Sequence, residues 1–150
     1  MKSKWMFLVA TVIGASLAIS SANAWTAEKG DDSPLAKLME KVNKSHNTVR
    51  NAVKTPVAYK KADPKKLIEE TEAQIKWAKE ARDFTEPAKT QKKTQKEWTD
   101  ATDAWIKASE EFLGVLKAEN GQAEAKKAHA PLVKSCTDCH AIFRVDGDDF

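Results

Sequence analysis

Trp98, Ala101, Trp105, Ala108, Phe112 and Val115 recur at alternating steps of three and four residues. An α-helix has a period of 3.6, so residues spaced this way return to one face and form a continuous stripe. Two indoles and a phenyl ring on that stripe make it a packing seam, and a seam needs partners. Three further segments supply them. The first runs from about Ser33 to Lys54, with Ser33 as N-cap and Pro34 in the first helical position. Its stripe is Leu35, Leu38, Met39, Val42, Val49, Ala52 and Val53, with His46 in the gap between Val42 and Val49. The second begins at Asp63-Pro64 and runs to about Phe84 on a weaker stripe of Leu67, Ile68, Thr71, Ile75 and Ala78, with Trp77 to one side. The seam itself belongs to the third, about Thr90 to Glu119. The fourth, about Gln122 to Val145, places Ala125, Ala128, Leu132, Cys136, Cys139 and Phe143 on one face.

Pro56, Pro87 and Asn120-Gly121 separate the segments, and Gly121 is expected to end the third helix in the left-handed conformation. Ala, Lys, Glu and Gln dominate between these breaks, and alternating β-branched residues are scarce. The fold class expected is all-α. Short connections make sequential helices antiparallel neighbours, so the expected architecture is an up-down-up-down four-helix bundle. The tail from Asp146 to Phe150 is expected to fray.

Residues 1–24 read as a secretory signal: Lys2 and Lys4, an apolar run from Trp5 to Ile19, then Ala22-Asn23-Ala24. The mature domain expected is 25–150, exported to a bacterial periplasm, with no membrane span once the signal is removed. Taking away Lys2 and Lys4 lowers the formal charge from +3 to +1. Lys and Glu are interleaved, which argues against a nucleic-acid surface.

The two cysteines of the chain lie in "SCTDCHAIFR", residues 135 to 144. Cys136, Cys139 and His140 form C-x-x-C-H, the spacing of c-type haem attachment. Two thiols three apart on a helix project from one side and reach two vinyl groups of one porphyrin; the adjoining imidazole then serves as proximal iron ligand. A disulfide between them would close a tiny loop and constrain the unfolded chain little. A zinc site would need further ligands, for which His46 and His129 are the available histidines. A redox-active C-x-x-C belongs at a helix N-terminus, and this one sits deep in a helical pattern.

The opposite axial position has two candidates. Met39 is the one methionine of residues 25–150, and its thioether is a soft iron ligand; it is equally suited to filling core space. His46 is the rival, two turns away. His129 lies two turns before Cys136, too far along its helix to reach the same iron.

The signal, four helices and a terminal C-x-x-C-H-x-x-Phe-Arg, carried by Cys136, Cys139, His140, Phe143 and Arg144, resemble the class II c-type cytochromes, the cytochrome c-prime family. "KLMEKV", residues 37 to 42, is similar to the first helix of their low-spin branch, where a methionine binds the iron. The resemblance implies one covalent haem c on the C-terminal helix, with iron between His140 and Met39. It implies an electron carrier, not an enzyme, meeting other redox proteins transiently. It places Phe143 at the haem side and Arg144 near a propionate or the proximal imidazole, though an exposed helix-end cation explains Arg144 as well. The high-spin branch binds nitric oxide or carbon monoxide instead, and a haem-free helical protein with a C-x-x-C disulfide is the remote alternative. Monomer and homodimer both stay open.

Overall fold

The computed structural model describes residues 33–119 and 121–144, and these are all-α, with no strand among them. Four long helices, α1 (Pro34–Val53), α3 (Pro64–Arg82), α5 (Gln95–Lys117) and α6 (Gly121–Phe143), are joined by two short ones, α2 (Pro56–Lys61) and α4 (Glu86–Thr90). The signal segment, Asn120 and the tail from Val145 lie outside the described residues. No described helix is long and apolar enough to cross a membrane.

Local chemistry sets the starts. The Ser33 hydroxyl accepts from the Ala36 amide at 3.0 Å, Thr55 from Ala58 at 3.1 Å, and the Asp63 carboxylate from Lys65 at 2.9 Å. A proline follows each of these caps, where its missing N–H is harmless. The third expected helix starts five residues late, and a short helix precedes it. Residues 86–90 form α4, a turn with Lys92 at φ 54° follows, and Thr94 restarts the chain as α5 with a reciprocal capping box to Glu97. The loop around Pro56 likewise becomes α2.

Gly121 corrects an expectation. It does not end α5 in the left-handed region; it is the first residue of α6 and is buried. A Cβ built there would lie 2.2 Å from the Val115 carbonyl oxygen. Glycine is needed because two backbones approach closely, not because of its φ.

Cross-helix contacts fix directions. Glu72 pairs with Lys117 at 2.7 Å, Lys79 with Glu110 at 3.2 Å and Arg82 with Asp103 at 2.7 Å, so α3 and α5 are antiparallel. Trp98 meets Phe143 edge-on at 5.1 Å between centroids, and Phe112 meets His129 at 5.2 Å, so α5 and α6 are antiparallel. The His46 and His129 rings stack at 5.1 Å, while Gln122 at the start of α6 donates to the Pro56 carbonyl beyond the end of α1, so α1 and α6 are antiparallel too. The α3–α5 and α5–α6 interfaces are broad, and the α1–α6 seam is thin.

The expected stripes supply most of the core: Leu38, Val42, Val49, Val53, Leu67, Ile75, Ala78, Trp98, Trp105, Ala108, Phe112, Ala125, Leu132 and Phe143 are buried. Several polar residues join them. Ser45, Thr71, Gln74, Thr102, Ser109, His129 and Ser135 are all buried. Thr71 was expected in its stripe. Thr102 reaches carbonyls one turn back in its own helix, which is how a buried hydroxyl is satisfied without leaving the helix.

Candidate functional site

Cys136 and Cys139 lie in the last two turns of α6, both half-buried, both packed against the core, and neither in a disulfide. Burial pushes each thiol up to about 11, so both are neutral thiols near pH 7. Thiol–disulfide exchange needs the thiolate, and this environment withholds it. His140 reaches the surface; partial desolvation, and after it the Arg144 charge, hold its imidazole below the ordinary value. Arg144 follows the last turn of α6, where its carbonyl accepts from Gln91 at 3.3 Å. Phe143 is buried against Trp98.

Met39 is half-buried on α1 and packs against the core. Its level along α1 relative to α6 follows from the histidine stack. Met39 lies seven residues before His46, and Cys136 lies seven residues after His129. In antiparallel helices these offsets run the same way, so Met39 and Cys136 sit at one level, about 10 Å from the histidine pair. Trp105 joins them: it is midway between Trp98 and Phe112, as Cys136 is midway between Phe143 and His129. The Trp105 indole N–H is buried and has no hydrogen-bond acceptor. A buried donor left unpaired costs about 1–3 kcal/mol, so an orphaned indole at this level is a place for an acceptor.

Cys139 also borders a groove of about 530 Å3 between α5 and α6, which Pro131, Lys134, Ile142, Ala101 and Ala104 help to line. Pro131, inside α6, has no N–H to offer the Lys127 carbonyl. Neither Met39 nor His140 lines this groove. No cluster of three or more His, Cys, Asp or Glu side chains among the described residues is arranged to hold a metal ion.

A second constellation sits two turns from the first. His129 is 5 % exposed, stacked on His46 and edge-on to Phe112. Burial first, then the His46 and Arg50 charges, lower His129 to about 4; burial, then Arg50, also lower His46, against the opposing effect of the Gln74 amide. Gln74 donates to Ser45 at 3.1 Å, and Ser45 donates to the Glu70 carbonyl at 3.1 Å. His46 Nδ1, His129 Nε2, Gln74 Oε1 and Ser109 Oγ are buried without partners. Sequence reasoning offered His46 as a rival axial ligand and both histidines as possible zinc ligands, and did not pair them with each other. The signal was present in the equal seven-residue offsets: once Met39 faces Cys136 across antiparallel helices, His46 must face His129.

Comparison of the chain with protein-family models, curated proteins and solved structures gave no match.

Proposed function

We propose that the four long helices form an antiparallel up-down-up-down bundle that holds one covalent haem c on its C-terminal helix, and that the protein is a periplasmic one-electron carrier. The observation that carries the reading is the common level of Met39, Trp105 and Cys136, with two unpaired thiols on α6 and a thin α1–α6 seam beside them. Cys136 and Cys139 would supply the thioether sulfurs, His140 the proximal imidazole and Met39 the distal thioether. When bound, the haem supplies an iron that cycles between Fe(III) and Fe(II), taking and returning one electron.

The chain's own residues do the rest. Neutral, half-buried thiols are kept from oxidation until they are used. The Trp105 N–H offers a buried donor to an acceptor on the group. A thioether from α1 favours the ferrous state and so raises the reduction potential. The apolar packing of Leu38, Trp98, Leu132 and Phe143 excludes water around that end of the core. His140, at the surface, marks the side where a partner comes close enough for electron exchange. That encounter would be weak and transient, as for redox pairs generally.

The test is the chain matured with its export and haem-ligation machinery. Mass spectrometry is expected to find one covalent haem, and the ferrous spectrum at pH 7 to be low-spin and unaltered by carbon monoxide. Met39→Ala is expected to turn the iron high-spin and open it to the gas. A high-spin native protein would favour the gas-binding reading. An unmodified polypeptide would end both.

A further inference from the structure

The histidine pair, His129 buried and His46 half-buried, lies outside the proposed electron-transfer chemistry and calls for its own account. Two imidazoles with unpartnered nitrogens suggest a metal ion, but Arg50 lies close enough to lower the affinity of both rings for protons and would oppose any cation in the same way. Among the described residues, no carboxylate is among the groups that act on either ring. The pair is instead a contact between helices. Its partners are an apolar ring edge, Phe112 of α5, and the neutral amide of Gln74 on α3. The charged and titratable groups acting on it are Arg50 on α1 and each ring on the other. The Gln74 amide alone favours a proton on His46; burial and the Arg50 charge outweigh it.

We infer that the His46–His129 stack is an acid-sensitive latch across the α1–α6 seam, and that its opening withdraws Met39 from the haem iron. The inference rests on the proposed haem site and specifies its regulation. α1 is held to α3 by broad packing and by the Gln74–Ser45–Glu70 hydrogen bonds, while the α1–α6 seam is thin. A proton on either ring puts a charge beside the other ring and Arg50, in surroundings with no counter-ion. Relief comes when α6 moves off α1 and water enters. The haem, tied to Cys136 and Cys139, moves with α6; Met39 stays with α1. A seven-residue offset returns each helix to within about 20° of the same face, so the latch and the Met39–Cys136 level lie on one side of each helix and separate together. Reciprocity follows: Met39 on the iron clamps the seam, so losing it must make the pair easier to protonate.

The test uses the matured full chain, titrated from pH 7 to pH 4 while the iron spin state is read from the visible spectrum. The expected result is a reversible low-spin to high-spin conversion whose midpoint lies between about 4 and about 6.5, the limits set by the closed latch and a free imidazole. His129→Gln and His46→Gln, each with an uncharged side chain, are expected to keep the low-spin spectrum at pH 7 and to lose the conversion or move it at least tenfold higher in proton concentration. Met39→Ala is expected to shift protonation the other way. Spin labels at Asn51 and Glu124, both exposed and on opposite sides of the seam, report the opening without reference to the haem; their separation is expected to grow over the same pH range. Absence of low-spin haem at pH 7 would overturn the proposed function alone, since the labels still judge the latch. A spectrum and a label distance both constant down to pH 4, or an unchanged conversion in both glutamine variants, would overturn the latch.

Discussion

His129 makes a quantitative stability prediction that holds whether or not haem is attached. Its imidazole is 5 % exposed in the folded chain and its pKa is lowered to about 4; unfolded, it returns to about 6.5. Below pH 6.5 the unfolded state therefore binds a proton that the folded state refuses. Stability rises with pH wherever the unfolded state holds more protons, so it must fall as pH drops through this window. Each unit is worth about 1.36 kcal/mol, so the loss is about 2 kcal/mol by pH 5 and about 3 kcal/mol once pH 4 is reached. The window from pH 6.5 to 5 separates the histidines from the carboxylates, because Glu40, Glu86 and Glu97, whose carboxyls are held below their usual range by hydrogen bonds, begin to count only lower. Urea unfolding followed by circular dichroism at half-unit steps gives the curve. His129→Gln is expected to flatten most of it; what remains belongs to His46 and His140, whose imidazoles are also held below the ordinary value. A native free energy that is level between pH 7 and pH 5, or a slope that the glutamine variant leaves intact, would refute the buried neutral imidazole.

Three further outcomes follow from the geometry. Gly121→Ala is expected to lower stability by about 1–3 kcal/mol, seen as a drop of several degrees in melting temperature, because its Cβ must displace the Val115 carbonyl 2.2 Å away. Thr94→Ala removes the hydroxyl that accepts from the Glu97 amide, leaving the Thr94 backbone N–H on the Glu97 carboxylate, and is expected to destabilise by about 0.5–2 kcal/mol in the same assay, with α5 otherwise intact. In protein made without haem, alkylation of Cys136 and Cys139 is expected to be slow at pH 8 and to accelerate about tenfold per pH unit toward 11, since burial holds both as thiols; rapid labelling at pH 7 would contradict that burial.

The stripes that set the helices were legible because apolar burial has a period, and the period survives in the sequence. Trp98, Trp105, Ala108 and Phe112 are buried as their spacing requires. Caps were legible before a proline that opened a long apolar stripe, at Ser33 and Asp63; they were missed at Thr55, whose helix is six residues long, and at Thr94, where the polar run from Thr90 reads as continuous helix although the chain turns through Lys92. Gly121 was misread for a related reason: a glycine after a helical pattern signals a left-handed cap more often than a backbone contact, and only the approach of Val115 tells them apart. Ser45, Gln74, Ser109 and His129 were invisible as core residues, since a polar side chain at an inward position looks the same in sequence as one at a boundary. The C-x-x-C-H run stood out by its spacing alone, but the level shared by Met39, Trp105 and Cys136 needed three helices set against one another.

That shared level and the histidine level divide the interior into two stations on the same faces of α1 and α6, about 10 Å apart. An apolar contact at the second station would hold the seam more firmly, since burying an imidazole neutral lowers stability in acid and four orphaned polar atoms lower it further. The arrangement makes sense if the strength of the seam is meant to vary. In the proposed function the first station sets the iron's distal ligand and the second sets how firmly the helix bearing that ligand is held. A methionine is a weak enough ligand for a loss of about 2–3 kcal/mol at the second station to decide whether it stays bound. Replacing both His46 and His129 with leucine is accordingly expected to give a protein more stable in acid, by urea unfolding at pH 5, and low-spin at every pH down to 4. A double variant that still lost its low-spin spectrum in acid would show that the ligand is released by something other than the seam.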